Sequence, residues 1–221
     1  MDNTLVEQLL DTPDLHFLLQ EVNNSLQAEA KRRAEFYDWI NEDHKAEFIN
    51  GRVVLHSPVM LRHWETSIFL SSLLHFHVAV NDLGKIAVEK AMLHLTRNSY
   101  EPDICFFSKE KTADFEPQQM LFPAPDLVVE ILSKSTEKID RGVKKIDYAA
   151  HRIAEYWIID ADKQSIEQWI LPQSTATEYV LCGVWSGDQR LTSHVINGFS
   201  IEAAAAFDAA ANQRAMQELK K

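Results

Sequence analysis

The stretch that decides the fold is PDLVVEILSKSTEKIDRGVKKIDY, residues 125–148. It begins with an apolar run, opened by Pro125 and closed by Ser133, that has the length of a strand buried on both faces. Glu130 lies in the middle of this run. Because an unpaired carboxylate in an apolar environment costs several kcal/mol, we expect Glu130 to have a cationic partner, a metal ion or a bound proton.

A helix is predicted to follow this strand directly. Ser135 or Thr136 can cap it, and apolar residues then recur at spacings of four, three, four and three over residues 139–153. Lys144 and Lys145 fall on opposite flanks of this helix, and periodicity does not decide which flank faces Glu130. A lysine here is either catalytic, an ion-pair partner of Glu130 or part of a solvated helix edge.

The length and composition favour one globular domain with peripheral additions. The chain has 221 residues and an apolar fraction of 46%, which is enough for an ordinary core. No apolar segment has the length that crosses a bilayer, and the first residues are acidic, unlike a signal peptide. Cys105 and Cys182 lie far apart in apolar contexts, so we expect reduced thiols, a cytoplasmic location and no membrane partner.

The net charge of −11 limits the possible partners. It argues against strong sequence-independent binding of nucleic acid, which needs a basic surface. It does not exclude a metal-assisted phosphodiesterase, because the pocket of such an enzyme is itself acidic until the ion binds.

The order of elements predicts a mixed α/β fold with one central sheet flanked by helices. We expect three parts, which are a helical extension at 1–44, the α/β domain at 45–200 and a C-terminal helix at 201–221. The tail is amphipathic enough to dock on the core or on a neighbour. Within the α/β domain the sequence predicts a hairpin at 46–56, a buried helix at 61–80, a strand at 86–95 and a C-terminal hairpin from 165 to 184.

Geometry selects which acidic residues can act together. Asp126 and Glu130 lie four apart on one strand, which is roughly 13 Å at about 3.3 Å per residue, so they cannot share an ion. Asp103 precedes a neighbouring strand, and adjacent strands lie about 4.8 Å apart, so Asp103 and Glu130 can converge. Two carboxylates suit Mg²⁺ (with Mn²⁺ as an alternative), and Lys144 would stabilise charge on a phosphate. The alternative for Asp103 is a residue of the turn that enters the strand.

The same residues carry a resemblance to a known family. Residues 45–172 resemble the Uma2 family of restriction endonuclease-like proteins, within the PD-(D/E)xK nuclease superfamily. The resemblance rests on EFINGRVV (47–54) with Ser57-Pro58 and His63, on EPD (101–103), on PDLVVEILSKST (125–136), on Asp140, Lys144 and Tyr148 at spacings of four, and on EYWIID (155–160).

The resemblance implies a restriction endonuclease-like core in which Asp103 and Glu130 are metal ligands and Lys144 is the catalytic lysine. The superfamily pattern expects lysine two residues after the glutamate, where this sequence has Leu132. Lys144, on the following helix, would take that role. Glu47 and His63 also match family positions, and they and Tyr148 are candidate additional site residues.

Three functional hypotheses follow. The first is a Mg²⁺-dependent endonuclease that hydrolyses DNA. The second is a catalytically inactive protein of the same fold that acts as a binding module. The third is an unrelated α/β scaffold in which Glu130 pairs with a lysine. We also expect a homo-oligomer, because the apolar tail and the N-terminal helices exceed what the core needs.

Overall fold

The strand expected around Glu130 forms at the centre of a six-stranded mixed sheet in the computed structural model. The structure describes residues 3–41, 43–89 and 91–220. Residues 1–2 and 42, in the predicted extension, Lys90, in the predicted strand 86–95, and Lys221, at the end of the predicted tail, lie outside the described residues.

The elements follow one another along the chain as a mixture of helices and strands. The helical segments are α1 (Asn3–Leu10), α2 (Leu15–Trp39), α3 (Leu61–Val80), α4 (Glu137–Ile139), a π turn (Asp140–Lys144), α5 (Lys145–Ala150), a 3₁₀ turn (Ala203–Ala206) and α6 (Ala209–Glu218). The strands are β1 (Ala46–Ile49), β2 (Arg52–Leu55), β3 (Gly84–Val88), β4 (Met92–His94), β5 (Ser99–Tyr100), β6 (Ile104–Ser108), β7 (Leu121–Phe122), β8 (Leu127–Ile131), β9 (Glu155–Asp160), β10 (Ser165–Ile170), β11 (Val180–Ser186), β12 (Arg190–Thr192) and β13 (Ser200–Glu202).

The described residues form two compact units, bounded by Met1–His56 with Thr96–Tyr100 and by Ser57–Leu95 with Glu101–Lys221. The predicted bounds at 1–44, 45–200 and 201–221 stay a prediction of domain organisation. In the first unit β1 pairs antiparallel with both β2 and β5. Phe36 of α2 packs on Phe48 of β1, with ring centroids 5.7 Å apart.

The second unit contains the six-stranded sheet in the order β11-β10-β9-β8-β6-β3. The pair β8–β9 is parallel and the other neighbours are antiparallel, so the sheet is mixed, as the sequence predicts. The expected C-terminal hairpin is β10–β11, which extends this sheet at its edge. Within the described residues no helix is both long and apolar enough to cross a bilayer.

The two faces of β8 meet different surroundings, because successive side chains of a strand point to opposite faces. Leu127, Val129 and Ile131 belong to a hydrophobic core that also contains residues of α3 and α6. Val128 and Glu130 point to the other face. Glu130 therefore lies on the face opposite to this core.

Two sequence-based expectations for elements need correction. The strand predicted at 86–95 is two strands, β3 and β4, because the backbone of Glu89 is left-handed (φ 55°) and ends β3. β3 pairs with β6, whereas β4 pairs with β7. The helix predicted from 137 contains a π turn at Asp140–Lys144.

The C-terminal tail docks on the core. Ala211 and Ala215 of α6 are buried in the same hydrophobic core as the sheet. Asp208 caps α6, since its carboxylate accepts a hydrogen bond of 2.8 Å from the backbone of Ala211. Of the two alternatives that the sequence left open for the tail, the structure selects the core.

Candidate active site

The register of β6 and β8 brings Asp103 and Glu130 together. Ile104 stands opposite Val129 in this antiparallel pair, and the same register continued by one residue would set Asp103, which precedes β6, opposite Glu130. Residues directly opposite each other on antiparallel strands point to the same face, with Cβ atoms about 4.5–5.5 Å apart. The register therefore brings Asp103 and Glu130 to the same end of the β6–β8 pair, and a shared ion between their carboxylates stays a prediction.

Asp103 is held by β8 and lies close to α3. Its Oδ2 accepts a hydrogen bond of 2.7 Å from the backbone nitrogen of Ile131. His63, near the start of α3, places Nε2 3.4 Å from the same oxygen. β6 begins after Asp103. At this end of the β6–β8 pair, the carboxylate of Asp103 accepts the hydrogen bond from the backbone of β8.

Glu130 is held from the helical segment that follows its strand. Its Oε1 accepts hydrogen bonds from Lys144 Nζ (2.9 Å) and from Tyr148 OH (2.8 Å). Lys144 Nζ also lies 3.2 Å from Oδ1 of Asp140. The ammonium group thus lies between two carboxylates, and the phenol fixes the orientation of one of them.

The structure decides which lysine faces Glu130. Lys144 ends the π turn and is buried with Asp140, whereas the ammonium of Lys145 lies over the ring of Trp169, 2.9 Å from its centroid. Burial, followed by the nearby Arg141, lowers the pKa of Lys145 despite the opposing Glu167. π turns insert one extra residue and recur at functional sites.

Burial and the negative charges on this face raise the pKa values of neighbouring groups. Burial and then the charges of Glu130 and Asp103 raise the pKa of Cys105 well above its ordinary value, and Lys144 offsets this only in part. Burial and then Glu130 raise the pKa of Tyr156 in the same way. Both shifts reflect burial and the nearby carboxylates, whose charges Lys144 partly offsets.

His63 responds to the same field. Burial lowers its pKa, but the adjacent Asp103 carboxylate and then Glu89 outweigh burial, and the pKa of His63 lies above its ordinary value. The carboxylate of Asp103 thus makes His63 easier to protonate than an ordinary histidine.

The donor set suits Mg²⁺ in chemistry and number. Two opposed carboxylates offer oxygen ligands, and Mg²⁺ in proteins is commonly held by one or two carboxylates while water and phosphate complete its shell. Within residues 3–41, 43–89 and 91–220, no group of three or more His, Cys, Asp or Glu side chains could hold a metal ion by itself. Water and substrate would therefore have to supply the remaining ligands.

The site is largely closed. The side chains of Lys144 and Glu130 are 2% and 5% exposed, and those of His63 and Asp103 are 8% and 11% exposed. Access from solvent is thus greatest at the end formed by Asp103 and His63.

Glu47, the remaining candidate from the sequence, belongs to the first unit. It is buried on β1, and its Oε2 lies 3.4 Å from Nε2 of His56 on the same hairpin. Its role in a site stays a prediction.

Sequence reasoning did not assign a role to two buried acids. Asp140 contacts the candidate catalytic lysine, and its position four residues before Lys144 on a helix was the available signal. Glu155, at the start of β9, is fully buried and accepts hydrogen bonds from side chains and backbone around residues 193–195. The pattern EYWIID gave only a strand, since nothing in it indicates these distant donors.

The central mixed sheet with helices on its faces defines a mixed α/β protein with a nuclease-like fold. The chain belongs to the Uma2 family, described as "Putative restriction endonuclease", whose family model matches residues 33–205.

A solved structure is similar in fold. It is the crystal structure of a putative nuclease belonging to DUF820 from Anabaena variabilis ATCC 29413, with a TM-score of 0.66 and 18% sequence identity. The match covers 79% of this chain and 96% of that chain. No curated protein matches the chain.

Proposed function

We propose that the protein is a Mg²⁺-dependent endonuclease that hydrolyses phosphodiester bonds of DNA. The observation that carries this proposal is the opposed pair of Asp103 and Glu130 with the ammonium of Lys144 2.9 Å from Glu130. Membership of the Uma2 family and the fold of a putative nuclease support the coarser statement that this is a nuclease-like protein.

Asp103 and Glu130 would hold the ion, with Mn²⁺ as a substitute for Mg²⁺. The ion, when bound, supplies Lewis-acid polarisation of a phosphoryl oxygen and of water. Lys144 stabilises negative charge that develops on the phosphate, and Asp140, 3.2 Å from the ammonium, keeps it in place. Tyr148 holds the Glu130 carboxylate through its hydrogen bond. His63 lies beside Asp103, with Nε2 3.4 Å from the carboxylate, at the more accessible end of the site.

A plasmid-nicking assay tests this proposal. Supercoiled DNA should be nicked in the presence of Mg²⁺ and should stay intact with a chelator. Asp103→Asn, Glu130→Gln and Lys144→Met should each lower the rate by about 100-fold or more, as removal of one stabilising group at a reacting centre does. Glu178→Gln, at an exposed position, is the matched control and should keep full activity. Nicking at the wild-type rate by Glu130→Gln would overturn the assignment.

The burial of Lys144 and Glu130 favours one alternative, a catalytically inactive binding module. Side chains exposed by only 2% and 5% can serve as a structural ion pair in the interior. In that case the protein would bind DNA or a protein without cleaving it. Fluorescence anisotropy with labelled DNA separates the two functions. The binding module is supported if the protein binds DNA without nicking it and if neither Mg²⁺ nor Glu130→Gln changes the affinity.

A cytoplasmic location and self-association are parts of the same proposal. Both cysteines are thiols, with Cys105 buried and Cys182 exposed, as is usual in a reducing compartment. Self-association is supported by the apolar N-terminal helices, since the tail packs on the core.

A further inference from the structure

The N-terminal helices expose an unusual amount of apolar surface. Within the described residues 3–30, nine large apolar side chains are exposed by 38–69%: Leu5, Val6, Leu9, Leu10, Phe17, Leu18, Leu19, Val22 and Leu26. These residues precede the region matched by the family model, which begins at residue 33. The surface is therefore an addition to the domain that the family shares.

This surface is continuous along α2. Leu15, Leu19, Val22 and Leu26 recur at spacings of four, three and four, which is the pattern of a two-stranded helical seam. At its N-terminal end the seam borders an apolar cavity of ≈ 220 Å³ lined by residues of α1 and α2: Leu5, Val6, Leu9, Leu10, Leu15 and Leu19. A cavity of this kind accepts one large apolar side chain.

The charges of the segment exclude two kinds of occupant. Residues 3–30, which carry the nine exposed apolar side chains, contain five acidic residues and no lysine or arginine, and the first lysine and arginine residues of α2 are at 31–33, beyond Leu26. Helices that lie on membranes carry lysine and arginine on their polar face, and nucleic acid also requires a basic surface. The occupant is therefore a protein surface.

The order of the charges selects a second copy of this chain in an antiparallel arrangement. Exposed Asp11 lies before the seam, and exposed Arg32 lies after it. Parallel pairing would place like charges side by side. Antiparallel pairing, with Leu15 against Leu26 of the partner subunit and Leu19 against Val22 of the partner subunit, brings each Asp11 near an Arg32.

The exposed area fits a dimer. Phe17 lies about 200° around α2 from Leu15, away from the seam. A large apolar side chain that becomes buried removes roughly 100–200 Å² from water, so the other eight half-exposed side chains offer on the order of 400–800 Å² per copy. A stable interface buries about 800 Å² per partner.

We propose that α1 and α2 form the interface of an antiparallel homodimer, in which Leu26 of the partner subunit enters the cavity between α1 and α2. This inference rests on the self-association in the proposed function and names a second copy of this chain as the partner. It does not depend on the catalytic part, because mass and nicking activity are measured separately.

Light scattering coupled to size exclusion tests the dimer with the full chain. The wild type should have about twice the monomer mass of 25.3 kDa at micromolar concentration. Leu19→Glu should be monomeric with an unchanged circular dichroism spectrum. Ile146→Glu is the matched control, since Ile146 is 70% exposed on α5, and it should stay dimeric. A monomeric wild type, or a dimer that survives Leu19→Glu, would overturn the proposal.

A charge exchange tests the antiparallel arrangement. Asp11→Arg should weaken the dimer by about 2- to 30-fold in Kd, because a two-fold symmetric dimer contains two such exposed ion pairs. Asp11→Arg combined with Arg32→Asp should restore the affinity, and Glu178→Arg should leave it unchanged. A double variant that binds no more tightly than Asp11→Arg would show that these charges do not meet. Binding of the wild type to anionic vesicles as a monomer would identify a membrane as the occupant and contradict the dimer.

Discussion

Removal of the ammonium group of Lys144 should destabilise the fold strongly. Lys144→Met keeps the length of the side chain but leaves Glu130 and Asp140 without the cation that lies 2.9 and 3.2 Å from them. Both partners of the shorter pair are at most 5% exposed, so water screens the loss very little. Breaking a buried ion pair from one side costs about 3–5 kcal/mol, and we expect a loss in this range.

Replacement of the acidic partner, Glu130→Gln, should lower the free energy of unfolding by less than Lys144→Met does. Glu130→Gln still accepts a hydrogen bond from Tyr148, and Lys144 keeps the contact with Asp140. We expect a loss of about 1–3 kcal/mol. The double variant should be more stable than the sum of the two singles implies, by about 2 kcal/mol, because the two side chains are in direct contact.

Urea unfolding measures these changes. The transitions are followed by circular dichroism and by tryptophan fluorescence, and coincident curves justify a single free energy of unfolding. Lys145→Met, at the next position, is the matched control, since it loses a half-buried contact with Trp169 and should cost about 0.5–1 kcal/mol. A loss below 1 kcal/mol for Lys144→Met, or additive single variants, would refute the argument.

Three further predictions concern other buried groups. Glu155→Ala should lower the free energy of unfolding by about 3–5 kcal/mol, because its carboxylate is fully buried among hydrogen-bond donors; a loss under 1 kcal/mol in urea would contradict this. Ellman's reagent should titrate one thiol in the native protein, Cys182, and two in denaturant, since Cys105 is buried; two fast thiols in the native protein would be inconsistent with the core described. Burial raises the pKa of Tyr156 and Tyr179, followed by the charges of Glu130 and Glu155 respectively, so stability should be full below the unfolded pKa of about 10 and fall as the pH rises above it. Thermal melts from pH 7 to pH 11 that show no fall above pH 10 would count against buried phenols.

The pairing of Asp103 with Glu130 was accessible from the sequence because strand geometry is regular. An apolar run with one acid, next to a strand preceded by another acid, leaves few ways to place the two carboxylates. Periodicity did not predict which lysine faces Glu130, because Lys144 and Lys145 fall on opposite flanks of a regular helix and the pattern does not show which flank faces the strand. The family spacing selected Lys144, and the structure places this residue beside Glu130.

Other features depended on contacts between distant parts of the chain. The break of the predicted strand at Glu89 follows from a left-handed backbone conformation that its residue type does not favour. The burial of α6 follows from small alanine side chains that fit against the core, although a helix of this composition can also dock on a neighbour. Asp140 and Glu155 are ordinary polar residues in the sequence, and only the tertiary structure places cations or donors around them.

The central claim is that Asp103 and Glu130 jointly hold a divalent ion, and calorimetric titration with Mg²⁺ and Mn²⁺ tests it most directly. Wild-type protein and the exposed-site variant Glu178→Gln should bind one ion per chain at the same affinity, whereas Asp103→Asn and Glu130→Gln, checked for folding by circular dichroism, should each lose at least tenfold in affinity. Absence of binding by the wild type, or equal binding by both variants, would contradict the claim.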